Sequence, residues 1–430
     1  MAESYRSDEV TAVKFLHCAD IHLDSPLQGL ARHQGAFAEG VRIATRTAFA
    51  NVVDIALRES VDFVLIAGDL YDTGLQGFES VLFFNREMAR LQKAGVRAFL
   101  VHGNHDAASK LTRNLRQPAN VRVFPHKHPE TAIDEQLGIA VHGQSFGRPT
   151  VVDDLASAYP MPVPGLFNIG LLHTNVNGNP NHDNYAPCSL DILINKGYDY
   201  WALGHVHTRQ VVHQAPPVVY PGNTQGRQIR ETGPKSCELV TVEGHDVTES
   251  QAAEVCAVPW YSIVVDVSEA ATSDEVCNWV QVELASVCQK AAGRVAAIRV
   301  NLRGATKAHA EIASDVEKLR NEVLSVASEV GGEQLWIERV VVATVPQLDV
   351  DQLLVRQDPV GEVIRTLRSL ADDPQKTAAL ADKLKELRKK LPNELTSGPD
   401  ALTLDEKHVG RVLGDVERSL LSWLSEMELQ

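Results

Sequence analysis

Over the first 240 residues the hydrophobic positions fall in short continuous runs, each ending on polar residues. Seven such runs are "VKFLHCAD" (13–20), "FVLIAGDL" (63–70), "RAFLVHGN" (97–104), "GIAVHGQSF" (138–146), "NIGLLHTN" (168–175), "DYWALGHVH" (199–207) and "PVVYPGN" (217–223). Apolar runs of that length predict buried strands, and the spacing near 41–60 and 78–94 predicts helices between them. Strands apolar along their whole length, separated by amphipathic helices, predict a layered α/β domain with its sheet covered on both faces. Ligands of such sheets bind at the carboxyl edge of the strands, which is where the polar residues cluster.

The pattern shifts near 245–258. "WYSIVVDVS", a helical stretch over 273–291, "VAAIRVNLRG", a second helix over 308–329 and "LWIERVVVATV" follow as a β-α-β-α-β unit. From 347 onward every segment reads as helix, with Pro392 and Gly398 marking a turn. Three regions are expected: 12–245, 255–346 and 347–430. In the last of them Leu380, Leu384, Leu387 and Leu391 share one helix face, and Val412, Leu413, Val416, Leu420 and Trp423 form a similar set. Such faces either pack on each other or dock a partner helix.

Composition adds limits. With 44% hydrophobic and 23% charged residues, the chain has the make-up of a globular protein. No apolar stretch approaches the roughly 20 residues that span a bilayer. The polar "MAESYRSDEV" start lacks the apolar core of a signal peptide, so a cytoplasmic protein with no membrane partner is expected. Cys18, Cys188, Cys237, Cys256, Cys277 and Cys288 form no CxxC pair and are expected as free thiols. The net charge of −15 is uneven: residues 1–240 carry 21 basic and 24 acidic side chains, residues 241–430 carry 20 and 32. The acid excess therefore sits in the C-terminal part, and no long basic stripe marks a nucleic-acid surface.

The strand ends carry the chemistry. In chain order they offer Asp20 and His22, Asp69 and Asp72, Asn104, His105 and Asp106, His173, then His205 and His207. A strand has a side-chain period of two, so the D-x-H and H-x-H pairs each project to one side. Mixed carboxylate, imidazole and amide donors suit Mn, Fe or Zn better than Ca or Mg. Seven candidate ligands, Asp20, His22, Asp69, Asn104, His173, His205 and His207, exceed what one ion needs. Two divalent ions sharing the strand-end carboxylate Asp69 are the economical solution.

D-x-H, G-D-x-x-D, G-N-H-D, a lone H and G-H-x-H together resemble the signature of calcineurin-like metallophosphoesterases. "FLHCADIHLDSPL", "NYAPCSLDIL", "GYDYWALGHVHTRQVV" and "VVYPGNTQGRQIRETGPKSCELV" narrow the resemblance to the SbcD/YhaO-like bacterial DNA-repair exonuclease branch over roughly 12–245. The later β-α-β-α-β unit resembles that branch's capping domain more loosely. One position departs: the nuclease pattern often has glycine two residues after its first histidine, where this chain has Asp24. The resemblance implies a four-layer α-β-β-α sandwich with a small α+β capping domain and a helical C-terminal region. It implies Asp20, His22, Asp69 and His207 around one metal, and Asp69, Asn104, His173 and His205 around the other, with Mn²⁺ expected and Fe or Zn as alternatives. His105 would be the catalytic histidine and Asp106 the acid that orients it. Asp72 matches a common family position and equally reads as a capping acid.

Metal coordination brings the pKa of water towards neutrality, and His105 would act as general acid on the leaving oxygen. Arg209, Arg227 and Arg230 could contact a nucleic-acid backbone or form ordinary salt bridges. Tyr185 and Trp201 could stack on a base, although core packing suits their apolar surroundings. The expected activity is DNA hydrolysis by an exonuclease subunit. The implied partners are DNA and a coiled-coil ATPase of the SbcC/YhaN type, with a homodimer as a further assembly. A small-substrate phosphoesterase shares every ligand, and a regulatory subunit of an ATPase complex is the third reading.

Overall fold

The computed structural model describes residues 12–25, 43–72, 78–108, 118–178, 184–347, 354–388, 409 and 412–417. In the first sheet β1 (Val13–Cys18), β2 (Phe63–Ala67), β3 (Arg97–Val101) and β4 (Val121–Val123) run parallel. β11 (Ser236–Glu243) pairs antiparallel with β1, and β12 (Asp246–Glu254) with β11, giving the order β12-β11-β1-β2-β3-β4. The second sheet repeats this plan. β6 (Ile139–Gly143), β7 (Phe167–His173), β8 (Tyr200–Gly204) and β10 (Pro217–Tyr220) are parallel. β5 (Glu130–Asp134) and β9 (Gln210–Gln214) close its two edges antiparallel.

Strand parity decides which side chains face which layer. Phe15, Phe63, Leu65, Phe99 and Val101 of the first sheet meet Val141, Ile169, Leu171, Tyr200 and Ala202 of the second in one core. The alternate residues Leu16, Val64, Ile66 and Leu100 face outward. Helices α1 (Ala44–Arg58) and α2 (Glu79–Lys93) cover them with Phe49, Val52, Val53, Phe84, Met88 and Leu91. On the far side Leu172, Trp201 and Leu203 pack under α4 (Leu190–Asn195), Tyr159 and Tyr198. The short α3 (Asn104–Ala108) follows β3 directly. The result is the four-layer α-β-β-α sandwich.

Of the strands that the apolar pattern did not predict, β4, β5, β9 and β12 sit at sheet edges, whereas β11 lies between β12 and β1 and breaks its apolar positions with Ser236, Glu238, Thr241 and Glu243. β12 is exposed along nearly its whole length, so it carries no buried alternation for the sequence to display.

The chain divides into two compact units. The first contains both sheets together with Val287–Ile298 and Glu333–Glu338. The second contains Ile263–Ser286, Arg299–Gly332 and the described residues from Arg339 onward. A third sheet has the order β13 (Trp260–Asp266), β14 (Ala296–Thr306), β15 (Leu335–Pro346). Helix α5 (Ser273–Ala291) buries Val276, Val280, Leu284 and Val287 as one stripe. The expected helix over 308–329 is two: α6 (His309–Ser314) stops at Asp315, whose side chain accepts from Lys318 N at 2.9 Å and caps α7 (Val316–Gly331).

In the C-terminal region α8 (Pro359–Ala371), α9 (Pro374–Arg388) and helical residues 412–417 pack on one another. Ala381, Val409 and Leu413 are buried, with Leu367, Leu370, Leu380 and Leu384 around them. Leu413 faces inward while Val412 and Val416 are exposed. Leu391, Leu420 and Trp423 lie outside the described residues, as does the Leu387 side chain.

Candidate metal centre

The carboxyl ends of β1, β2, β3, β7 and β8 deliver their polar residues to one place because glycines let the backbones close in. A Cβ on Gly204 would lie 1.8 Å from the Ala67 carbonyl oxygen. One on Gly103 would lie 2.3 Å from Asp69 Oδ1. The glycines of the G-D, G-N and G-H motifs are thus contact points between neighbouring strand ends. The residues beside them are strained: Asp20, His22, Asp69 and His205 have φ of 51°, 47°, 52° and 104°. Left-handed backbone at non-glycine residues costs about 1–3 kcal/mol each and gathers at functional sites. Asp24, where the nuclease pattern often has glycine, has φ of 60°, and its carboxylate accepts from Arg46 at 2.5 and 2.7 Å and from Ser80. Aspartate tolerates this conformation, and the pairing with Arg46 helps hold it.

Five of the seven expected ligands are buried, and Asn104 and His207 are half-buried. Asp20, His22 and His207 bring one donor atom each to within 4.8 Å of one another, and so do Asp20, Asp69 and His173. His173 Nε2 is 3.6 Å from Asp69 Oδ2 and 3.1 Å from Asn104 Oδ1, while its Nδ1 donates to the Ala67 carbonyl at 2.9 Å. His22 Nε2 is 3.9 Å from Asp69 Oδ2. The His205 backbone N–H donates to both Asp20 oxygens, and its ring lies 5.2 Å from that of His173.

The electrostatics fit cations. Burial, then the charge of Asp69, raises the Asp20 carboxyl well above its usual range. Burial raises Asp69 too, against the pull of His105 and other nearby histidines. Burial also holds His173 down at about 4 and lowers His22, so both imidazoles are neutral, as metal ligands must be. Both ring nitrogens of His22 are buried without a hydrogen-bond partner. Buried unpaired polar atoms and adjacent buried carboxylates are costly unless something compensates them, and divalent cations held between these donors would do so. The Asp, His and Asn donor set suits first-row transition metals.

The expected orientation of His105 by Asp106 is corrected. Asp106 is fully buried and accepts from the backbone N–H groups of Leu70, Tyr71 and Gly103 at 3.2, 2.8 and 3.1 Å. It braces the loop after Asp69 against the turn before α3. The carboxylate on His105 Nδ1 is that of Asp72, at 2.8 Å. Burial lowers the His105 pKa, but Asp72 and Asp69 outweigh it and the net direction is upward. The His105 backbone N–H donates to Asp69 Oδ1 at 2.9 Å, and its ring stands edge-on to His22 at 4.7 Å.

Of the arginines, Arg209 is engaged by the buried Glu238 through two 2.8 Å bonds, the salt-bridge alternative. Arg227 enters the site, with Nη1 3.2 Å from Ser25 Oγ and 3.8 Å from Asp72 Oδ2. Arg230 is exposed. Trp201 is fully buried, stacked on Tyr198 at 5.0 Å and against Gly170, so it is core. Tyr185 packs on the His205 ring at 5.7 Å. Sequence reasoning missed Glu231, which accepts from His207 Nδ1 at 2.8 Å. Burial pushes Glu231 up, but bonds and charge from His207 and Arg227 hold it at about 2.

A family model described as calcineurin-like phosphoesterase matches residues 13–209, and one described as the middle domain of the metallophosphoesterase YhaO matches 260–345. The chain is 35% identical over 300 residues to the uncharacterized metallophosphoesterase YhaO of Bacillus subtilis, covering 69% of this chain and 72% of that one. It is 28% identical over 208 residues to the DNA double-strand break repair protein Mre11 of Sulfurisphaera tokodaii, covering 47% of this chain and about half, 51%, of that relative. It is 23% identical over 326 residues to the D component of the Escherichia coli nuclease SbcCD, covering 63% and 78%. The clustered donors are consistent with the sequence likeness, and the chain belongs to the calcineurin-like metallophosphoesterases, a family of phosphoester hydrolases.

Proposed function

We propose that this chain is a dinuclear-metal phosphodiesterase that hydrolyses DNA, as the exonuclease subunit of a repair complex. The observation that carries this reading is the convergence of two buried carboxylates, neutral imidazoles and the Asp72–His105 pair on one strand edge. The likeness to proteins named as repair nucleases supports DNA as the substrate. Asp20, His22 and His207 would hold one ion, and Asp69, Asn104, His173 and His205 the other, with Asp69 shared and Mn²⁺ the expected metal. When bound, the ions would supply Lewis acidity and a nucleophile at neutral pH. His105 donates its Nδ1–H to Asp72, and Asp72 and Asp69 favour the imidazolium, whose second proton sits at Nε2 and is the one delivered to the leaving oxygen. Arg227 lies on the other oxygen of Asp72 and adds positive charge for the phosphate. A coiled-coil ATPase is the proposed partner in the complex.

The test is the purified chain with Mn²⁺, offered end-labelled double- and single-stranded DNA beside bis-p-nitrophenyl phosphate. Shortening of DNA from its ends together with diester hydrolysis is expected. Hydrolysis of the small diester with DNA left intact would replace the nuclease reading with the small-substrate one.

A further inference from the structure

Glu231 lies outside the strand-end motifs, in the segment after β10. Its carboxylate joins three groups. Oε1 accepts from His207 Nδ1 at 2.8 Å, and Oε2 accepts from Asn223 Nδ2 at 3.0 Å and from the Arg227 backbone N–H at 2.6 Å. The same segment holds the His207 backbone: Asn223 N and Lys235 Nζ donate to the His207 carbonyl at 3.2 and 3.3 Å. Asn223 also bridges to Ala19, immediately before Asp20. Side chain and main chain of His207 are therefore fixed from one side by residues 223–235.

A neutral imidazole whose Nδ1–H is donated to a carboxylate has one tautomer, with its lone pair on Nε2, the nitrogen that can bind a cation. His207 shares its cluster with Asp20 and His22. The other cluster is built differently. There His173 Nδ1 donates to a neutral backbone carbonyl, that of Ala67. A carboxylate makes the opposite nitrogen more basic than a carbonyl does, so the two halves of the centre differ in what stands behind their histidines.

We infer that Glu231 is a positioning residue for the cation held by Asp20, His22 and His207, and that it acts on that position and not on its neighbour. The inference rests on the metal centre of the proposed function but not on DNA being the substrate. Its readout is metal binding to the full chain, so failure of the nuclease assay leaves it standing.

The test is titration of the metal-free full chain with Mn²⁺, following free Mn²⁺ by electron paramagnetic resonance. The wild-type chain should take up two ions. Glu231→Gln should weaken one binding step by roughly 10–100-fold, the usual effect of losing such a partner, and leave the other step in place. Glu231→Asp, which keeps the charge on a shorter arm, should fall between them and covers the case in which the glutamine variant folds poorly. His207→Gln should weaken the same step, and adding Glu231→Gln to it should cost little more. Wild-type affinity at both steps in Glu231→Gln would overturn the inference. So would equal weakening of both steps, or full additivity with His207→Gln. A wild-type chain that binds no Mn²⁺ would overturn the metal centre and the inference together.

Discussion

Asp106 follows His105 directly in the chain, yet the carboxylate on the His105 ring belongs to Asp72, 33 residues earlier. Adjacency in sequence misleads here because α3 begins at Asn104 and carries consecutive side chains to different sides. The substitutions separate the roles. His105→Ala keeps all seven proposed ligands, so it should retain its ions and lose about 10²–10⁴ in turnover. Asp72→Asn should lose less, since the amide still occupies the place beside Nδ1 but no longer favours the protonated ring. Asp106→Ala should act on stability, by roughly 1–3 kcal/mol, because it strands buried backbone donors of Leu70, Tyr71 and Gly103. Metal content, steady-state rates on bis-p-nitrophenyl phosphate and denaturant unfolding check the three together. Unchanged turnover in His105→Ala would remove it from the chemistry. The candidate ligands were legible because each closes an apolar run. Glu231 was not, since it closes no apolar run, and only the fold brings it to His207.

At the scale of elements, the strands that build the centre were the legible ones, and the polar edge strand β12 was not. An apolar run records burial on two faces, and β12 has little. The β1 strand also holds a charge-sensitive group between the sheets. His17 is fully buried, donating from Nε2 to the Leu203 carbonyl at 3.1 Å and accepting at Nδ1 from the Tyr200 hydroxyl at 3.2 Å. Burial lowers its pKa to about 3, against the pull of that carbonyl. In the unfolded chain the ring takes up its proton near pH 6.5. Between those values the unfolded state binds more protons, so the His17 contribution is complete above about pH 6.5 and is lost as pH falls towards 3. His17→Gln can make both hydrogen bonds and cannot titrate. Unfolding of the metal-free chain at pH 7 and pH 4.5 should show a smaller acid loss in the variant. Equal losses would mean that other groups set the acid limit.

At the scale of the whole molecule, charge and chemistry are divided along the chain. The centre lies within the first 240 residues, whose net charge is −3, while residues 241–430 carry −12. The C-terminal helices answer one of the two alternatives posed by their apolar faces. Leu367, Leu370, Leu380, Ala381, Leu384, Val409 and Leu413 form a cluster of their own, tied by Arg368 to Glu417 at 3.0 Å. Packing between these helices accounts for Leu367, Leu370, Leu380, Leu384 and Leu413, and burial of that kind is what amphipathic faces ordinarily require. Among the described residues of this region Val355, Val363, Val412 and Val416 remain outward and offer apolar surface to a partner helix. Because the cluster is self-contained among the described residues, removing 347–430 should leave hydrolysis of bis-p-nitrophenyl phosphate largely intact. If the proposed coiled-coil ATPase docks on this region, the same truncation should abolish its co-purification and any ATP-dependent stimulation on DNA. The milder variant Val412→Asp/Val416→Asp, which charges the outward face and spares the inner leucines, should weaken recovery of the ATPase without lowering the small-diester rate. Equal recovery of the ATPase by full-length, truncated and charged chains would leave the helices as packing alone and move the docking surface elsewhere on the molecule.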